Sequence, residues 1–195
     1  MPNAHHLDQP EQADPQHERR FHGQADRLRS PDRLARLEVP RVVALSLENL
    51  AVATLLDVGT GTGVFAEEFA RQGLAVTGVD VNPELMSLAR EYVPTGDFKT
   101  APAEQLPFPD RSFDLVFLGH VLHETDQPFT ALREARRVAR GRVVVLEWPY
   151  REEPHGPPLE HRVSPETVAK LVSDAGYQTL EALTLSFMDL YRLTP

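Results

Sequence analysis

Two acids and three glycines stand at spacings that suit the binding of an adenosine. A short apolar run ends at Asp57, and the alternate positions after it hold Gly59, Gly61 and Gly63. Glycine lets the backbone approach a ligand closely, because no Cβ stands in the way and a positive φ costs little. A second apolar run, one helix length later, ends at Asp80. A carboxylate there can accept hydrogen bonds from both hydroxyls of a ribose.

The spacing of the glycines separates two kinds of adenosine cofactor. Dinucleotide domains use G-x-G-x-x-G and hold a pyrophosphate at a helix N-terminus. Here the third glycine comes one position early, and Val64 stands where the last dinucleotide glycine would be. Asp57 would repel a pyrophosphate but would suit an ammonium group. The residues therefore favour S-adenosylmethionine, which has no phosphate, over a nicotinamide cofactor; a nicotinamide-dependent oxidoreductase stays as the weaker alternative.

Three further motifs follow the glycine motif in a fixed order. They are APAEQLPFPD at residues 101–110, SFDLVFL at residues 112–118 and GHVLHE at residues 119–124. Together with D-x-G-x-G-x-G and its downstream acid, they resemble the class I S-adenosylmethionine-dependent methyltransferases, in the type 11 or ubiquinone-biosynthesis-like branch. The resemblance extends over residues 52–195 and implies methyl transfer to a small-molecule acceptor, with S-adenosylhomocysteine as product.

The resemblance also implies which residues hold the cofactor. The methionine part would lie against the first loop, at Asp57, Gly59, Thr60, Gly61 and Gly63. Asp80 would bind the ribose hydroxyls, with Val81 beside the adenine. The adenine would be flanked from the next loop by Ala103 and Glu104. Leu118, Gly119 and His120 would border the methyl group.

Two histidines after the predicted fourth strand are the catalytic candidates. Methyl transfer from a sulfonium is an in-line displacement, so a base is needed only when the acceptor arrives protonated. His120 has a suitable intrinsic pKa, and we expect it to act as base or to orient the acceptor; packing on the cofactor without proton transfer is an equal alternative. His123 comes one helical turn later. His120 and His123 could form a metal site together with Glu124, His155 or His161, but no metal is expected.

Composition excludes several classes of function. The chain has 195 residues, a net charge of −9 and no cysteine. Methylation of cytosine C5 and of arsenite is excluded because both use thiolates, and the acidic balance argues against a nucleic-acid partner. No membrane span or signal peptide is recognised, which predicts a cytoplasmic protein without a membrane partner. The oligomeric state is left open between monomer and homodimer.

Alternating strands and helices predict an α/β fold. We expect a Rossmann-like, doubly wound, mostly parallel sheet of seven strands with helices on both faces, and the resemblance implies an antiparallel last strand. Residues 1–23 are predicted to be a disordered tail. A single methyltransferase domain would follow at residues 24–195, with an N-terminal helical cover at residues 24–51 and the core at residues 52–195. Gly141 is expected to close the helix that precedes the fifth strand, and the last strand is expected to run from Leu185 to Leu193.

Two segments depart from the family pattern. Pro102 stands where an aspartate commonly accepts a hydrogen bond from the adenine amino group, and proline offers no side-chain acceptor. This departure keeps open a non-catalytic S-adenosylmethionine-binding protein as an alternative. Residues 119–122 replace the N/D-P-P-Y/F motif, which argues against methylation of base amines or glutamine amides. The proline-rich loop from Trp148 to Arg162 is either a lid, with Trp148 and Tyr150 lining an acceptor pocket, or packing at a strand end.

Overall fold

The computed structural model describes residues 25–195, apart from the side chain of Asp26. The tail predicted for residues 1–23, with its four histidines, lies outside the described residues. In chain order the helices are α1 Ala25–Leu28, α2 Pro31–Leu37, α3 Val39–Leu47, α4 Val64–Arg71, α5 Pro83–Tyr92, α6 Pro128–Val138 and α7 Pro165–Asp174. The strands are β1 Thr54–Val58, β2 Ala75–Asp80, β3 Asp97–Thr100, β4 Phe113–Gly119, β5 Ala139–Glu147, β6 Thr179–Thr184 and β7 Asp189–Thr194.

The seven strands form one sheet in the order β3-β2-β1-β4-β5-β7-β6. Neighbouring strands from β3 to β5 are parallel, whereas β7 runs antiparallel to both β5 and β6. The predicted fold is therefore confirmed, including the antiparallel last strand. The strand order reverses between β1 and β4, where Val58 is paired with Leu118. The loops that leave the carboxyl ends of β1, β2 and β4 meet at this point, which is where open α/β sheets bind ligands.

The sheet is rigid beneath that edge because both of its faces are packed. Apolar side chains on the two faces form two separate clusters. On one face Phe117 of β4 contacts two aromatic rings of α4, Phe65 at 4.7 Å and Phe69 at 5.5 Å between centroids. On the other face the hydroxyl of Tyr177 donates to the Leu132 carbonyl of α6 at 2.8 Å. Such packing fixes the strand ends that carry the site.

The helix starts follow local sequence rules. Asn82 caps α5 by accepting the Glu84 N–H at 2.9 Å, and a proline occupies the first helical position. Ser164 caps α7 in the same way through the Thr167 N–H at 3.2 Å. Within the described residues, no helix is long and apolar enough to cross a membrane.

Two predicted boundaries are wrong. Gly141 does not close α6, because α6 ends at Val138 and the chain enters β5 directly, with Gly141 inside that strand. A Cβ at Gly141 would lie 3.0 Å from the Asp114 carbonyl oxygen, so the glycine permits close strand contact. The final strand was expected from Leu185, but it begins at Asp189. A turn closed by the Leu185 N–H and the Met188 carbonyl, 2.8 Å apart, precedes it.

The N-terminal helices are fastened to the glycine loop by one arginine. The guanidinium of Arg29 donates to the Thr62 carbonyl at 2.8 Å, forms an ion pair with Glu67 at 2.7 Å and lies 3.3 Å from the centroid of the Tyr92 ring. We call these three contacts the Arg29 clasp. They hold α1 and α2 above the carboxyl edge of the sheet.

Candidate cofactor and acceptor site

A cavity of about 170 Å³ opens at the carboxyl edge of the sheet, between the loops that follow β1, β2 and β4. Nine of the predicted site residues line it. From the first two loops these are Gly59, Thr60, Gly61, Asp80 and Val81, and from the later loops Ala103, Glu104, Gly119 and His120. The N-terminal helices add Leu28, Arg33 and Leu37, which the sequence analysis did not single out.

The remaining four predicted residues, Asp57, Gly63, Leu118 and His123, are not among those lining the cavity. Leu118 is fully buried within β4, and Gly63 is buried at the end of the glycine loop, directly before α4. A Cβ on Gly63 would come within 3.3 Å of Ala89, so this glycine lets α4 approach α5. The cofactor roles of these residues stay predictions.

The glycine loop is held in a conformation that needs glycine. Gly59 and Gly61 have φ values of +68° and +54°, a region that other residues rarely adopt. A Cβ on Gly59 would lie 2.5 Å from a methyl carbon of Val121. The loop therefore brings bare backbone to the cavity wall.

Asp80 fixes this loop with both of its carboxylate oxygens. Oδ2 accepts the Gly61 N–H at 2.9 Å, and Oδ1 accepts the Asn82 N–H at 2.9 Å. Each carboxylate oxygen can accept a second hydrogen bond, and Asp80 lines the cavity. Burial raises the pKa of Asp80, and the backbone hydrogen bonds oppose that rise. The residue can therefore bind hydroxyl groups of a ligand while it shapes the loop.

Asp57 supports the loop from behind. Its side chain is 2% exposed, and its Oδ2 accepts a hydrogen bond from the Thr60 hydroxyl at 2.7 Å. Burial raises the pKa of Asp57 to about 7, with a smaller contribution from the negative charge of Asp80. In the protein without ligand this carboxyl therefore changes charge near neutral pH.

The raised pKa of Asp57 predicts a pH-dependent stability. Because the folded protein binds this proton more tightly than the unfolded chain, the stabilisation is complete below the unfolded pKa of 3.8 and is lost as pH rises through about 7. We expect the melting temperature of the wild type, relative to Asp57→Asn, to fall by several °C from about pH 5.5 to about pH 8. Differential scanning calorimetry without ligand measures this difference. Parallel curves for the two proteins would contradict it.

His120 is buried with unused hydrogen-bonding capacity. Its side chain is 7% exposed, and neither ring nitrogen has a hydrogen-bond partner in the described part of the chain. Its φ is +62°, and its backbone N–H donates to the Leu146 carbonyl at 2.8 Å. Burial, with a smaller effect of the Arg33 charge, holds the pKa of His120 well below its usual value. The imidazole is therefore neutral and faces the cavity.

His123 lies deeper and is paired with an acid. Its Nδ1 is 2.7 Å from Oε2 of Glu147, whose Oε1 accepts the Leu122 N–H at 2.8 Å. Burial lowers the pKa of His123, but the charge and hydrogen bond of Glu147 outweigh it, so the net shift is upward. This pair fixes the segment after β4. The sequence analysis missed Glu147, which is 24 residues away and reaches His123 through the pairing of β4 with β5.

The hypothesised metal ligands do not assemble as expected. Among the described residues, one group of three side chains brings possible metal-ligand atoms within 4.8 Å of one another: His120, His123 and Glu147. It does not contain Glu124, His155 or His161. Within this group, His123 and Glu147 already share a hydrogen bond, and the positive charge of Arg33 acts on both imidazoles. That charge disfavours a cation, and the expected absence of a metal stays a prediction.

The loop from Trp148 to Arg162 is organised by its last residue. The guanidinium of Arg162 donates to four carbonyl oxygens within the loop at 2.7–3.0 Å: Pro149, Arg151, His155 and Pro157. It also lies 5.6 Å from the Trp148 ring, which packs 5.2 Å from His120 between centroids. Trp148 is buried at the strand end, Tyr150 is exposed, and neither lines the cavity.

We expect Arg162→Ala to loosen this loop. The substitution leaves four carbonyl oxygens without their donor and should lower the free energy of unfolding by about 2–4 kcal/mol. Arg162→Lys should restore little of the lost stability, because an ammonium group cannot reproduce the planar set of hydrogen-bond donors of the guanidinium. Trp148 is the single tryptophan, so its fluorescence should shift to the red. Arg151→Ala, which removes a surface pair with Glu153, is the control and should leave both readings unchanged.

The strand order and the position of the cavity are those of a doubly wound α/β domain with its ligand site at the carboxyl edge of the sheet. Residues 56–145 match the family model described as "Methyltransferase domain". A demethylmenaquinone methyltransferase of Tropheryma whipplei is 35% identical over 147 residues, 71% of this chain and 60% of that protein. One from Thermotoga maritima is 37% identical over 111 residues, 55% of this chain and 48% of that protein. The chain spans about half the length of these curated relatives.

Solved structures agree with the sequence matches. An S-adenosylmethionine-dependent methyltransferase from Aquifex aeolicus aligns with a TM-score of 0.76 and 26% identity, covering 87% of this chain and 95% of that one. The [4+2]-cyclase SpnF aligns with a TM-score of 0.62 and 28% identity, and the alignment covers 74% of this chain and 58% of SpnF. The chain therefore shares sequence motifs and fold with the class I S-adenosylmethionine-dependent methyltransferases.

Proposed function

We propose that the chain transfers a methyl group from S-adenosylmethionine to a small molecule, and that the acceptor is a hydroxylated aromatic ring of the quinol type. One observation carries the proposal: the carboxylate of Asp80 and the neutral imidazole of His120 share one cavity. The first group suits the ribose of a cofactor, and the second suits a hydroxyl group of an acceptor.

The cavity fits the cofactor in the chemistry of its walls. Asp80 keeps acceptor capacity for ribose hydroxyls beside the backbone of Gly61. Val81, Leu85 and Ala101 offer apolar surface to a purine ring. Pro102 is exposed and does not line the cavity, so the departure from the family pattern lies outside its wall.

His120 would prepare the acceptor. S-adenosylmethionine supplies a methyl group on a sulfonium centre, which a ring carbon or oxygen can attack once it is electron-rich. A neutral imidazole can accept the proton of a ring hydroxyl through one unoccupied nitrogen. The tight packing of Trp148 against His120 would hold the imidazole in place, and Leu37, Phe65 and Val121 would exclude water.

The names of the relatives support the quinol-type acceptor. The two relatives described above are named demethylmenaquinone methyltransferases. This chain spans only part of their length, and we infer from their names only the chemical class of the acceptor, a hydroxylated aromatic ring. The cyclase among the structural neighbours shows that the fold also serves another reaction. Turnover must therefore be measured directly.

The proposal is tested in two stages. Isothermal titration calorimetry first measures binding of S-adenosylmethionine and S-adenosylhomocysteine, and we expect micromolar affinity for both, tighter for the second. The protein is then incubated with methyl-tritiated cofactor and a panel of hydroquinones, naphthohydroquinones, aliphatic alcohols and amines. Label on the aromatic compounds supports the proposal. Binding without transfer to any compound favours the non-catalytic alternative, and no binding by folded protein overturns both.

A further inference from the structure

Arg33 is the one arginine or lysine among the described residues that line the cavity. Arg33 lies on α2, whereas Leu28 lies on the preceding helix α1. Leu28 packs toward the glycine loop, since a Cβ placed on Gly61 would be 3.7 Å from its Cδ1. The charge of Arg33 acts on His120 and His123, which follow β4. Arg33 and His120 also line the same cavity, so we assign Arg33 to the end of the cavity at which the acceptor is proposed to bind.

The surroundings of Arg33 favour an anion. Apolar side chains such as those of Leu37, Phe65 and Val121 line the cavity. Its three carboxylates have other contacts: Asp80 with the Gly61 N–H, Glu104 with the Thr125 hydroxyl and Glu124 with the His123 ring. Among the described residues, Glu124 is the acid whose charge acts on Arg33, and its carboxylate lies 3.7 Å from the His123 ring. Burial lowers the pKa of Arg33, although the charge of Glu124 opposes this shift. A half-buried guanidinium is costly in such a place unless a charged partner binds it.

We propose that Arg33 binds a carboxylate of the methyl acceptor, so that the enzyme selects acidic hydroxylated rings over neutral ones. The inference rests on the proposed function and narrows its acceptor class. A guanidinium binds a carboxylate through two parallel hydrogen bonds. The carboxylate would lie beside the neutral imidazole of His120, which remains available for the ring hydroxyl.

The test compares 4-hydroxybenzoate with 4-hydroxybenzamide, which has nearly the same shape but no charge. Protein saturated with S-adenosylhomocysteine is titrated with each compound by calorimetry. We expect the wild type to bind the carboxylate at least about 10-fold more tightly. Arg33→Gln should abolish this preference, whereas Arg33→Lys should keep part of it. Arg36→Gln removes the same charge one turn along α2, outside the lining residues, and should preserve it.

The other outcomes each overturn the inference. If wild type shows no preference, or binds neither compound, Arg33 does not select a carboxylate. If Arg33→Gln weakens S-adenosylhomocysteine binding by about 10-fold or more and leaves the preference intact, the residue holds the cofactor carboxylate instead. Loss of preference in Arg36→Gln as well would indicate general charge attraction. Failure of folded wild type to bind S-adenosylhomocysteine would instead overturn the proposed function.

Discussion

Replacing Asp80 with alanine is expected to weaken S-adenosylhomocysteine binding by at least about 100-fold, because hydrogen bonds to a charged group are worth about 1.5–3 kcal/mol each. The substitution removes the acceptor for the ribose hydroxyls. It also leaves the N–H groups of Gly61 and Asn82 without their partner, so the glycine loop loses its support. Calorimetric titration of the folded variant measures the loss.

Two further variants sharpen this experiment. Asp80→Asn keeps the size but turns an amide N–H toward one backbone donor, so it should weaken binding by about 10-fold or more. Asp97→Ala removes an exposed aspartate from the neighbouring strand β3 and should leave binding unchanged. Near-normal affinity in Asp80→Ala would refute the assignment of Asp80 to the ribose.

The second large effect is expected at His120. Asparagine is the suitable replacement, because it tolerates the positive φ of this position better than other residues do. We expect His120→Asn to lower kcat by about 100-fold or more while the affinity for S-adenosylhomocysteine changes by less than about 3-fold. Retained turnover in a correctly folded variant would reduce His120 to a packing residue. A matched loss of cofactor affinity would place it in the cofactor site.

The pH profile gives an independent check on His120. Because its pKa lies well below 6.5, the imidazole stays neutral throughout the neutral range. With saturating cofactor, kcat should show no rise with a midpoint near 6.5, the position expected for an unperturbed histidine. A rise with a midpoint near 6.5 that persists in Asp57→Asn, which removes the carboxyl that also changes charge near pH 7, would show that the imidazole is charged in the working enzyme.

The elements and the cofactor end of the site were predictable because their determinants are local. Alternating glycines, a strand-ending acid and an Asn-Pro helix start each act within a few residues, and Gly59, Asp80 and Asn82 lie as local rules expect. Gly141 misled the prediction because a glycine after a helix commonly caps it. Here the close approach of two strands requires the glycine instead.

The acceptor end could not be predicted in the same way. Glu147 meets His123 only because β5 pairs with β4, and Arg33 reaches the cavity only because α2 folds over the sheet. Arg162 binds carbonyl oxygens of its own loop, and carbonyl positions leave no trace in the side-chain sequence. Asp57 is buried, bonded to the Thr60 hydroxyl and not part of the cavity wall, so its role toward the methionine part of the cofactor stays a prediction.

The Arg29 clasp ties one part of the cavity wall to the glycine loop. Leu28 and Arg33 line the cavity, and the segment that carries them is held beside Thr62, Glu67 and Tyr92. The cavity therefore has walls of two kinds: those at the ends of β1, β2 and β4 belong to one hydrogen-bonded sheet, whereas the wall from the N-terminal helices is tied to the glycine loop through the side chain of a single arginine.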